Sequence, residues 1–83
     1  MSSSKKPTVE SIGRMVKKLR KERRLSQTQL GRLAFDLSKS ENNKAQQRVK
    51  YIELAYQKKA TIEDLFLLAE ALNVEIEDLL KNE

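Results

Sequence analysis

The chain has 83 residues, 39% of them hydrophobic, which suits one small domain with a single core. It has no cysteine and no histidine, which leaves no disulfide or thiolate–metal staple and removes thiol chemistry, the commonest general base and the commonest metal ligand; no enzyme, cofactor or metal site is expected. No apolar run approaches the roughly 20 residues that span a bilayer, and Met1-Ser-Ser-Ser-Lys-Lys6 lacks the apolar segment of a signal peptide, so a cytoplasmic protein without membrane contact is expected.

The net charge of +5 conceals a segregation. Residues 1–59 carry 16 Lys and Arg against 5 Asp and Glu, and residues 60–83 carry 1 against 7. Such asymmetry is the electrostatic footprint of a polyanion-binding surface. The competing reading is that these cations only solvate helix faces.

Residues 1–8 read as a flexible basic tail, and residues 9–83 as the folded domain. The spacing of Ile12, Met15, Val16 and Leu19 predicts a first helix from Val9 to Arg24, with Glu10 near the positive end of its dipole. Ser26-x-x-Gln29 fits a capping box and opens a second helix, with Leu30, Leu33 and Ala34 inward and Phe35 and Leu37 as possible extensions. Ser38 to Asn43 reads as a loop. A third helix is expected from Asn43 or Lys44, capped by Asn43, with Val49, Ile52 and Tyr56 toward the core. Gln57 to Ala60 make the next turn. Thr61 caps a fourth helix with the apolar stripe Ile62, Leu65, Leu68, Ala69 and Leu72, and Asn73 is a natural left-handed stop. A short fifth helix from Glu75 to Lys81 is expected to bury Ile76, Leu79 and Leu80. No strand signal and no internal repeat is present. The expectation is an all-α, compact five-helix domain.

Three stretches in order, Leu19-Arg-Lys-Glu-Arg-Arg-Leu-Ser-Gln27 leading to Leu30, Val49-Lys-Tyr-Ile-Glu53, and Leu67-Leu-Ala-Glu-Ala-Leu-Asn-Val-Glu-Ile-Glu-Asp-Leu-Leu80, resemble the lambda-repressor-like (Cro-type, XRE) helix-turn-helix family. The resemblance covers Ile12 to Leu80. Gln46-Gln47 is similar to the paired glutamines of some lambdoid phage repressors. Two features depart from the family's pattern. Its turn between helices 2 and 3 is tight and often holds glycine, whereas this chain has an extended connection of about eight additional residues without one. Ala55 stands where the family usually has glycine, which would lengthen helix 3 toward Tyr56.

The resemblance implies a bacterial or phage transcriptional regulator, most readily a repressor, with helix 3 in the major groove of double-stranded DNA. One reading helix covers few base pairs, so a homodimer on a palindromic operator is expected, with Leu79 or Leu80 shared between subunits. No small-molecule ligand is implied. Val49, Ile52 and Tyr56 would face the core, leaving Gln46, Gln47 and Lys50 outward, with Lys44, Arg48 and Tyr51 at the margins. Glutamine suits adenine and Lys or Arg suits guanine in the major groove, which makes Gln46, Gln47, Lys50 and Arg48 the candidate base readers; a merely solvated polar face is the competing reading. Gln27 lies in a helix first turn, where an anion is favoured, and the resemblance assigns it a phosphate contact and a brace to Gln46. Lys44, Lys58 and Lys59 are candidate phosphate clamps flanking helix 3. The resemblance further implies an ion pair between Arg20 and Glu53; two independent surface charges are the alternative. The acidic doublets Glu63-Asp64 and Glu77-Asp78 suit helix first turns better than chemistry. A protein-interaction module, such as an antitoxin or adaptor, is the second functional expectation. Single-stranded nucleic-acid binding ranks lower, because Phe35 and Phe66 are expected to be buried, leaving no stacking platform.

Overall fold

The computed structural model describes residues 8–56 and 60–81. Among them every regular element is helical, and five α-helices form one compact body. Helix α1 spans Val9–Glu22, α2 Gln27–Phe35, α3 Asn42–Glu53, α4 Ile62–Leu72 and α5 Ile76–Leu80, with a 3-10 turn, Lys39–Glu41, ahead of α3.

Short-range side-chain chemistry sets most helix starts. The Thr8 hydroxyl accepts from the Ser11 N–H at 3.0 Å and the Ser11 hydroxyl accepts from the Thr8 N–H at 2.9 Å. Ser26 and Gln29 exchange the same two bonds at 3.0 and 2.8 Å. The Thr61 hydroxyl caps the Asp64 N–H at 3.1 Å. Each box satisfies N–H groups that a helix start leaves without a partner.

The helix ends use a different device. Arg24, Asp36, Ala55 and Asn73 follow α1 to α4 with positive φ of 54–60°. Helix α1 therefore stops two residues short of the expected Arg24: the Leu25 N–H turns back to the Arg20 carbonyl and the Arg24 N–H to that of Lys21. The same turning pattern ends α4, where Val74 and Asn73 bond back to Ala69 and Glu70. None of the four is glycine. Ala55 does not lengthen α3; it ends it, and Tyr56 leaves the helical face.

Both glycines sit at helix crossings. A Cβ on Gly13 would lie 2.5 Å from the Ile52 carbonyl oxygen and 2.7 Å from that of Glu53, so α1 meets the end of α3 through bare backbone. A Cβ on Gly31 would overlap the backbone of Ala45, bringing α2 equally close to the start of α3. Together these contacts seat α3 against two helices.

The core joins all five helices through Val16, Leu30, Val49, Leu68, Leu72 and Leu79, each fully buried, with Ile12, Met15, Ala34, Ile52, Leu65 and Ala69 around them. Several apolar residues expected inside lie outside. Leu33 is 62% exposed, because α2 turns its Gly31 edge onto α3 and rolls Leu33 outward. Tyr56 is 49% exposed and lies 4.9 Å from the Tyr51 ring, a consequence of α3 ending at Glu53. Ile62 and Phe66 are 67% and 56% exposed. The buried residues of α4 fill an arc of about 100°, and Phe66 lies some 100° around from Leu65. Phe35 is half-buried. In α5 only Leu79 is fully buried; Ile76 and Leu80 are half-covered. Leu79 is thus a core residue and cannot be shared with a second subunit.

The expected loop over Ser38 to Asn43 is shorter and more ordered than its composition suggests. Six residues, Asp36 to Glu41, separate α2 from α3. The Ser38 N–H donates to the Glu41 carboxylate at 3.2 Å and the Glu41 N–H to the Ser38 carbonyl at 2.9 Å. This turn feeds directly into α3, which begins at Asn42, so Asn43 lies inside the first turn instead of capping it.

Candidate nucleic-acid interface

Helix α3 buries Ala45, Val49 and Ile52, and this fixes the direction of its other side chains. At 100° per residue, Asn43, Gln47, Lys50 and Leu54 point directly away from the core, with Gln46 and Glu53 on one edge and Arg48 on the other. Asn43, Gln46, Gln47 and Lys50 are exposed and, among the described residues, make no hydrogen bond or ion pair to another side chain.

One edge of α3 is held by Arg20 and Glu53. The Arg20 guanidinium meets the Glu53 carboxylate twice, Nε to Oε2 at 2.6 Å and Nη2 to Oε1 at 3.2 Å, and its Nη1 donates to the Leu25 carbonyl at 2.9 Å. The Glu53 side chain is 3% exposed. One ion pair therefore links α1, the segment entering α2, and the end of α3. The Gln27 amide donates to Glu53 Oε1 at 3.1 Å, so its hydrogen bond goes to Glu53 and not to Gln46. Gln27 and Gln46 nevertheless line the same open cleft of about 250 Å³, with Lys17, Lys50, Glu53 and Leu54.

Arg48 lies on the opposite edge and does not join the outward face. Its Nη2 is 2.9 Å from Asp64 Oδ1 of α4, and its guanidinium stacks 3.8 Å above the Phe35 ring of α2. These contacts make it a strut between three helices, so Arg48, expected beside Gln46, Gln47 and Lys50, is tied to Asp64 and Phe35 instead of standing free on the outward face. Lys44 remains at the margin, well exposed and 3.8 Å from Glu41. The hydrogen bonds from Ser38, first its backbone N–H and then its hydroxyl, hold the Glu41 carboxyl below its ordinary value, with Lys44 adding to the effect. Lys58 and Lys59 lie outside the described residues.

Two residues on this surface escaped the sequence reading. Asn43 was assigned to a cap, yet it stands one helical turn before Gln46 and Gln47 on the outward side; the i, i+3, i+4 spacing of Asn43, Gln46 and Gln47 was the available signal. Lys17 of α1 reaches the cleft beside Gln46 and Lys50 only because Gly13 lets α1 cross close to α3, and no local pattern carries that crossing.

Among the described residues no group of His, Cys, Asp or Glu could hold a metal ion, and no helix is long and apolar enough to cross a membrane. Compared with protein-family models, curated proteins and solved structures, the chain matches none.

Proposed function

We propose that the chain is a sequence-specific double-stranded DNA-binding regulator of the lambda-repressor-like helix-turn-helix kind, with α3 inserted in the major groove. The observation that carries this reading is the outward face of α3. Asn43, Gln46 and Gln47 sit in its first turns, exposed and without side-chain partners among the described residues, on a helix wedged against α1 and α2 by two glycine crossings. Unpaired amides pre-positioned on a rigid helix suit adenine edges, each good bidentate pair contributing roughly 1–3 kcal/mol of discrimination. Lys44 flanks the face as a cation for the phosphate backbone, and such contacts fix register without specifying sequence.

The connection from α2 to α3 is longer than the family's tight turn, but its extra residues extend α2 to Phe35 and form the Ser38–Glu41 turn. Arg48 and Phe35 then tie the end of α2 to α3. A homodimer on a two-fold operator would set half-sites about one helical turn, roughly 34 Å, apart.

Selection of bound sequences from a random duplex library tests the reading. The expected result is a palindromic motif, and no enrichment above nonspecific binding would overturn it. A second reading, a protein-interaction module, has its own observation: Ile62 and Phe66 form an exposed apolar stripe on α4, bordered by Glu63 and Glu70. A co-purifying protein that abolishes DNA retention, with Phe66→Ser losing that protein, would favour it.

A further inference from the structure

Two apolar patches on this surface carry opposite charge. On α2, Leu25, Gln29, Arg32, Leu33 and Leu37 line an open groove of about 330 Å³. Leu33 is the exposed apolar wall of this groove and lies about 200° around α2 from Gly31, so the groove faces away from α3. Arg32 is half-buried there, and its Nε is enclosed with no hydrogen-bond acceptor among the described residues. Asp36 is the acid at ion-pairing spacing from Arg32, but it turns off the helix at a φ of 54° and makes no ion pair with it. An enclosed guanidinium N–H without an acceptor is unfavourable, and a carboxylate satisfies it best, through two parallel bonds.

On α4, Ile62 and Phe66 stand one turn apart and both are exposed. Glu63 and Glu70 run along one flank of this stripe, exposed and unpaired among the described residues, whereas Asp64 on the far side is engaged by Arg48. The α2 groove is thus an apolar slot that lacks a carboxylate, and the α4 stripe is an apolar ridge with carboxylates to spare. A cavity of roughly 150 Å³ is enough to hold benzene, so the groove has room for the Phe66 ring.

From this complementarity we infer that the α2 groove seats the α4 stripe of a second copy of the chain, with Phe66 against Leu33 and a carboxylate of Glu63 or Glu70 on the Arg32 guanidinium. Helices α2 and α4 pack against each other within one molecule, so a two-fold pairing makes the contact twice and closes the assembly at a dimer. The contact supplies the proposed homodimer with a surface in place of Leu79, which the core occupies. It does not depend on the DNA-binding reading, because the pairing needs no DNA.

The test is sedimentation equilibrium of the full chain without DNA, for wild type, Leu33→Ser, Phe66→Ser, Arg32→Glu and the double variant Glu63→Arg with Glu70→Arg. Wild type is expected to be a dimer. Each serine variant is expected to weaken dimerisation roughly ten- to a hundredfold through lost apolar burial, and each charge reversal by at least about tenfold. Mixing Arg32→Glu with the Glu63→Arg, Glu70→Arg variant is expected to restore the dimer, since each groove then meets a stripe of opposite charge. Leu33, Phe66, Glu63 and Glu70 are exposed, so unchanged circular dichroism spectra are expected for their variants, and these decide the outcome if Arg32→Glu fails to fold. A wild type that stays monomeric would overturn the inference, as would a dimer that survives both serine variants or charge-reversed chains that stay apart when mixed. A monomer that still selects a DNA motif would sink this pairing alone, whereas a dimer that selects none would leave the pairing standing and sink the DNA-binding reading.

Discussion

At the scale of single residues, the Arg20–Glu53 pair concentrates the most electrostatic consequence. Its charges are nearly removed from water, so the attraction between them is largely offset by desolvation, whereas losing one partner strands the other. Glu53→Leu alone is expected to lower unfolding free energy by about 3 kcal/mol, and the double variant Arg20→Met with Glu53→Leu to recover most of that loss. Urea denaturation of both variants measures it, and a single-variant loss below ~1 kcal/mol would refute the expectation. Ala55 is the opposite case. Its φ of 56° carries a Cβ into the left-handed region, at a cost of about 1–2 kcal/mol that glycine does not incur. Ala55→Gly should therefore stabilise by about 1 kcal/mol, seen as a Tm increase of roughly 4–8 °C. A decrease in Tm would show that the turn after α3 tolerates alanine without strain.

At the scale of elements, each helix start was legible in the sequence wherever a side chain caps it locally. Thr8, Ser26 and Thr61 begin helices because bonds spanning three residues decide the matter, with no help from the rest of the fold. Asn43 misled for the same reason: it is a good cap by type, but the Ser38–Glu41 turn starts α3 earlier. Burial at arc edges was less legible, because Leu33, Ile62 and Phe66 turn in or out according to how each helix is rolled on its neighbour. The roll of α2 depends on Gly31. Gly31→Ala gains helix propensity of up to about 1 kcal/mol but drives a Cβ into the Ala45 backbone, which cannot rotate aside. The clash is expected to win, lowering stability by roughly 1–3 kcal/mol in thermal or urea unfolding. An alanine variant as stable as wild type would mean that α2 and α3 can separate at little cost.

At the scale of the whole molecule, charge is segregated along the chain: the acidic surplus lies in residues 60–83 and the cations in residues 1–59. Two carboxyls with lowered values give the fold a pH dependence of definite sign. The Asp78 carboxyl is held down by its hydrogen bond with Lys81 and by the Glu75 N–H, and Glu41 by Ser38. Their stabilising contribution is complete above the ordinary values of 3.8 and 4.5 and disappears as pH falls through the lower folded values. Melting temperatures by circular dichroism should be flat from pH 7 to about 5 and fall below about 4. A Tm that rises on acidification would contradict that sign.

The sequence by itself determined the helical class, the starts of α1, α2 and α4, and the glutamine-bearing helix with its cationic margins. These follow from hydrogen bonds and periodicities confined to a few residues. Only the tertiary structure decided that Arg48 braces α4 instead of facing outward, that Gln27 bonds Glu53, and that Lys17 shares a cleft with Gln46 and Lys50. Each of these depends on how closely and at what rotation two helices cross. Gly13 and Gly31 set that closeness through contacts with residues 52–53 and 45, far along the chain and outside any local pattern.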